Sequence, residues 1–254
     1  MDRPKTLFLS HGSPMIVLEA SSASDFLARL GQDMPRPKAT LVVSAHWRET
    51  QFTVGGAAHP ETIHDFFGFP PALYAMGYGA AGDPDLAARV AASTGARLAA
   101  GRGLDHGVWT LAKLLWPQAD VPVVPLSLSR HAGPLEHFQL GQRLRPLLED
   151  GVLLLASGAA THNLGAYVGQ PRAAEPQPWV TDFTDWLGQA VEQGRIEDLL
   201  GYRGLAPHAI DNHPTEEHLM PLFVALGAAQ GPGRVLHRSV EHGVIAMDGY
   251  GWAA

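Results

Sequence analysis

Three histidines stand in the same local setting at widely separated points of the chain. LFLSHG sets His11 after an apolar run, LVVSAHW sets His46 after a second, and LLLASGAATHNL sets His162 a few residues beyond a third. If these runs are parallel neighbours, their carboxyl ends share one rim, where open α/β sheets gather ligands. Neutral imidazole binds divalent transition metals, and it gains and loses a proton near neutral pH. Ligands scattered along a chain are the pattern of a catalytic metal site, unlike the tight spacing of a zinc finger. One such histidine is equally well explained as a strand cap that only satisfies a chain end. Repetition favours convergence, and the small residues Ser10, Ser44, Ala45 and Gly158 leave room for an ion or ligand near the backbone.

HPTEEHLMPLF adds His213 and His218, five apart, with a helix start between them. Glu216 and Glu217 are further ligand candidates, because two histidines and one carboxylate with open positions form a familiar Fe(II) oxygenase set. Spacing alone leaves Glu216, Glu217 and His218 open. The chain has no cysteine among 254 residues and 13 histidines, so a metal must be held by His, Asp or Glu. Two more histidines lie in aromatic-rich stretches, His64 in TIHDFFGFPPALY and His106 in GLDHGVWTLAKLLWP. These stretches read either as pocket walls or as aromatic plugs over the core.

Short apolar runs bounded by turn residues predict strands at Thr6–Ser10, Thr40–Ser44, Val121–Leu126 and Gly151–Ala156. A closing pair is expected at Val235–Val240 and Gly243–Asp248, antiparallel at one edge. Helical spacing covers Ser24–Leu30, Asp83–Ser93, Val108–Leu115, Leu135–Leu148, Thr181–Gln193 and Thr215–Leu226. Alternating strands and helices predict an α/β fold of three layers, α/β/α, in one catalytic domain over residues 1–254. A formal charge of −7 without clustered Lys or Arg argues against nucleic acid. No apolar segment approaches the ~18 residues of a membrane span, and no signal stretch is evident, so a cytoplasmic protein is expected.

In order along the chain, LFLSHGSP, PRPKATLVVSAHW, TIHDFFGFPPALY, GLDHGVWTLAKLLWPQADVPVVPLSL, LLLASGAATHNL, PTEEHLMPL and VIAMDGYGW resemble the class III extradiol ring-cleavage dioxygenases, closest to the DOPA-dioxygenase-like branch. The resemblance implies a central mixed, mostly parallel sheet and one mononuclear metal site. By position it makes His11, His46 and His218 the metal ligands and His162 the catalytic acid/base. It puts His64 and His106 around the metal or in the substrate pocket. Members with a glutamate as third ligand keep Glu217 in view beside His218.

The implied reaction is cleavage of a small catechol, DOPA-like or related, by O2 to a muconic semialdehyde. Fe(II) is the metal expected for activity, and Zn(II) is expected to fit the same imidazoles in purified protein. Partners are then the catechol and O2, with neither nucleic acid nor membrane, and the oligomeric state is not legible. The competing readings are a zinc-dependent hydrolase on the same site and a non-catalytic metal-binding relative. Arg48, next to the SAHW motif, is the candidate for a substrate carboxylate.

Overall fold

The computed structural model describes residues 4–253. Its strands are β1 (Pro4–Ser10), β2 (Ala39–Glu49), β3 (Thr53–Gly55), β4 (Arg97–Ala99), β5 (Val123–Ser129), β6 (Val152–Gly158), β7 (Arg234–His237), β8 (Val240–Glu241), β9 (Ile245–Ala246) and β10 (Gly249–Ala253). Eight of them form one sheet in the order β4-β3-β5-β2-β6-β1-β10-β7, and β8 pairs with β9 as a small ribbon. The central strands β5, β2, β6 and β1 are all parallel, so their carboxyl ends share one rim. Antiparallel β10 lies between β1 and β7, while β3 pairs antiparallel with β5 and parallel with β4. The sheet is mixed and mostly parallel, as expected.

Its central strands are nearly continuous apolar runs because both faces are covered. Phe8, Leu41, Val43, Leu126, Leu154 and Ala156 face one core, closed by the helices Pro134–Leu148, Pro178–Glu192 and Met220–Ala228. Leu7, Leu9, Val42, Leu153 and Leu155 face the other, closed by the helices Ser22–Asp33 and His106–Leu115. Adjacent residues of one strand thus feed two cores, the period-two geometry of a strand inside three layers. No helix among the described residues is long and apolar enough to cross a membrane.

Three expectations need correction. At the antiparallel edge, β7 pairs with Gly249–Ala253 and not with Gly243–Asp248, whose Ile245–Ala246 pairs with Val240–Glu241 in the small ribbon. β10 carries glycine where neighbours press in, since a Cβ on Gly251 would lie 2.7 Å from Leu236 Cδ1. Second, β2 does not stop at Ser44 but runs to Glu49 through an irregularity. Third, the helix expected from Thr215 starts at Met220, with Pro221 in its first turn. Proline lacks an N–H and has a fixed φ, so it suits that turn and would break the interior of a longer helix.

Candidate metal centre

His11 leaves β1 with its N–H donating to Gly158 O at 3.0 Å. Gly12 follows at φ +59°, a left-handed conformation open to glycine, and Pro14 opens a single 3₁₀ turn, Pro14–Val17. His46 lies in the irregularity of β2: Ser44 pairs with Ser127 and Arg48 with Leu128, leaving Ala45–Trp47 unmatched. Extra residues of this kind re-aim side chains. His218 precedes the helix Met220–Ala228, and its carbonyl accepts the Ala159 N–H at 2.9 Å. A Cβ on Gly158 would come within 2.2 Å of that carbonyl. Gly158 is therefore small to admit the His218 backbone, and not to leave room for an ion. Ser44 is likewise occupied, donating to Asp105 Oδ1 at 2.6 Å and accepting the His46 N–H.

The three chain segments bring His11, His46 and His218 together, with ligand-capable atoms all within 4.8 Å of one another. His46 Nε2 lies 2.9 Å from His11 Nε2 and 3.3 Å from His218 Nε2. Nitrogens bound at ~2.1 Å to one ion stand ~3.0 Å apart at right angles and ~3.4 Å apart at tetrahedral angles. The outer nitrogens decide the tautomers. Ser157 donates its O–H to Gly107 O at 2.5 Å, so its oxygen accepts from His11 Nδ1 at 2.9 Å. Glu217 Oε1 accepts from His218 Nδ1 at 3.1 Å. Both rings then present an Nε2 lone pair inward, and one N–H on His46 satisfies only one of them. A cation among the three satisfies all, so these residues fit a divalent metal.

Electrostatics agree with that state. Burial first, then the neighbouring rings, push His11 and His218 well below the ordinary imidazole value. His46 falls to about 3 through burial and His106, against the opposing charge of Asp65. Neutral rings with free lone pairs are what a metal requires.

Around the triad, His162 lies flat against His218, ring centroids 3.4 Å apart at 9°. Burial lowers its pKa, with Glu217 opposing. The His106 ring is 3.9 Å from that of His46, and its Nδ1 and backbone N–H both donate to Asp65 Oδ1, at 3.0 and 2.9 Å. His64 is set apart from the triad: it contacts Met76 O through Nε2 and sits among Phe66, Tyr74 and Trp109. Phe66 links that aromatic cluster to His106, centroids 5.8 Å apart. Glu217 faces the outer nitrogen of His218, and Glu216 pairs with Arg203 at 3.1 Å. His213 is buried against Ala160 O, outside the triad.

Sequence reasoning missed Asp65, Ser157 and Asp105. Burial pushes the Asp65 carboxyl up, but hydrogen bonds and charge from His106 outweigh it and hold it at about 2. Asp105 is fully buried under the SAHW segment, bonded to Ser44 and Arg102, and burial raises its pKa. The HD pair in TIHDFF and the DH pair in GLDHG were the available signals, two stretches that meet only in the fold.

A three-layer α/β sheet with a histidine triad on its carboxyl rim defines a metal-dependent class, and the chain's relatives specify it. Residues 5–251 match the family described as the catalytic LigB subunit of aromatic ring-opening dioxygenase. The chain belongs to this family and is an aromatic ring-opening dioxygenase. It is 38% identical to a 4,5-DOPA dioxygenase extradiol of Beta vulgaris, over 97% of this chain and 95% of that protein. A 4,5-DOPA dioxygenase extradiol of Escherichia coli K12 is also 38% identical, over 96% of this chain and 93% of its own. The crystal structure of an uncharacterized Escherichia coli K12 protein superposes with a TM-score of 0.82 at 32% identity, covering 98% of this chain and 99% of that one.

Proposed function

We propose that the chain is one catalytic unit that uses Fe(II) and O2 to cleave a small catechol, DOPA-like or related, beside its diol, yielding a muconic semialdehyde. The convergent triad, with two outer nitrogens fixed by Ser157 and Glu217, carries this reading. Iron(II) on His11, His46 and His218 would supply open positions for both catechol oxygens and O2, and the electron transfer between them. Zinc would fit the same nitrogens but has no redox step to offer.

His162 is the acid/base in this reading. Its ring lies against His218, so it borders the place where a catechol hydroxyl must give up its proton, and it returns a proton as the ring opens. His106, fixed by Asp65, contacts the substrate from the His46 side. His64 shapes the wall behind it through Phe66 and Trp109. The relatives named for 4,5-DOPA support a catechol of that size.

Loading the protein anaerobically with iron or with zinc, then screening catechols for oxygen uptake and product absorbance, tests the proposal. Uptake matched to catechol loss and a yellow product are expected with iron, and neither with zinc. Catechol turnover on zinc-loaded protein without oxygen uptake, and none with iron, would replace it with a hydrolase.

A further inference from the structure

Beside the triad lies a cavity of about 470 Å³ lined by His46, Trp47, Arg48, Glu49, Arg102 and Arg130. The chain as a whole carries a net −7, yet this lining has three guanidinium groups against one carboxylate. Two of the charged groups are already committed. Arg102 donates to buried Asp105 at 2.8 Å and stacks over the Trp47 ring, 4.8 Å from its centroid. Glu49 accepts from Trp47 Nε1 at 3.0 Å and faces Arg97 at 3.8 Å.

Arg48 and Arg130 are different. Arg48 has a half-exposed side chain, and its contact with Glu217 Oε2, at 3.8 Å, is too long for a hydrogen bond. Arg130 spends its Nε on Arg48 O at 2.9 Å, and among the described residues its guanidinium makes no ion pair with a carboxylate. The remaining N–H groups of both side chains are a pair of forks suited to a carboxylate. Their place matters too. Arg48 is separated from the ligand ring of His218 by one carboxylate, since Glu217 contacts Arg48 with one oxygen and His218 Nδ1 with the other. A second ring of the triad, His46, lines the cavity itself.

We infer that Arg48 and Arg130 form an anion subsite for a carboxylate on the substrate's side chain. This inference rests on the ring-cleavage reading, which puts the catechol ring at the triad and leaves its side chain to enter the cavity. Two neighbouring guanidinium groups, neither hydrogen-bonded to a carboxylate, have a specific consequence. A side chain that is purely anionic is favoured over a zwitterionic amino acid, because an ammonium group next to these guanidiniums is repelled. A neutral side chain gains nothing, and a cationic one is disfavoured most.

Four probes separate these cases: 3-(3,4-dihydroxyphenyl)propanoate, 4-ethylcatechol, DOPA and dopamine. Their binding to zinc-loaded protein is titrated without oxygen, and kcat and KM are measured on iron-loaded protein. The propanoate is expected to bind at least about tenfold more tightly than 4-ethylcatechol, with dopamine weakest. Arg48→Gln and Arg130→Gln should each erase about tenfold of that preference, through KM and not kcat. Arg48→Lys and Arg130→Lys, which keep the charge, should retain most of it, and added salt should compress it. Equal binding of the propanoate and 4-ethylcatechol, or a preference unchanged in both glutamine variants, overturns the subsite. Absence of turnover for every catechol would overturn ring cleavage instead, and the zinc-loaded titration would still decide the subsite.

Discussion

His106 and His162 flank the same triad and are held in opposite ways. His106 begins the helix His106–Leu115, and Asp65 Oδ1 takes both its backbone N–H and its ring Nδ1–H. Its tautomer and orientation are therefore fixed. His162 stands on the turn after β6, anchored by its backbone N–H on Asn212 O at 2.8 Å and by stacking on His218. Among the described residues, no side chain or carbonyl hydrogen-bonds either of its ring nitrogens. A ring tied through its proton positions what it touches, whereas a ring with unengaged nitrogens is able to take up a proton and release it. The same contrast separates the triad, two of whose outer nitrogens are engaged by Ser157 and Glu217, from the proposed acid/base beside it.

Removing a proposed ligand is the most drastic way to test this division. His46→Ala should lose metal occupancy, read by elemental analysis, and turnover together. His162→Gln should keep the metal and lower kcat by about 10²–10⁴-fold, the usual worth of a positioned acid/base. Equal metal loss in both variants would erase the distinction between ligand and proton carrier. Asp65→Asn is predicted to fall between wild type and His162→Gln, about 10–100-fold in metal affinity or activity, because it frees His106 and weakens support for His46.

The smallest effect concerns a buried acid outside the site, as a control. Burial raises Asp248 to about 6, against the opposing Tyr250 hydrogen bond and Arg238. The folded protein thus holds a proton that the unfolded chain releases near pH 4. Stability from this group is present below that pH and is lost as pH rises through about 6, by on the order of 2–3 kcal/mol. Asp248→Asn should flatten that slope in denaturant melts between pH 4 and 7, leaving the difference between His106 and His162 intact.

The central sheet was legible because β1, β2, β5 and β6 are apolar runs buried on both faces. β10 was not, since GYGWA reads as a turn until Leu236 and Leu7 are seen against Gly251. The position of His11 at a strand end was readable, whereas His46, expected at one, lies inside β2 in an irregularity that depends on pairing with β5. Choosing among Glu216, Glu217 and His218 required the fold: Arg203 draws off one glutamate and His218 Nδ1 engages the other. Asp65 and Ser157 could not be given partners from the sequence for the same reason. Their partners His106 and His11 lie 41 and 146 residues away, and such contacts leave no local pattern.

The most direct test of the central claim is the fate of isotopic oxygen. The iron-loaded enzyme is given a catechol under ¹⁸O2, and the ring-opened product is weighed by mass spectrometry. Cleavage at the His11–His46–His218 centre predicts gas-derived ¹⁸O in the newly formed carboxylate. A product that takes its new oxygen only from water would contradict the account.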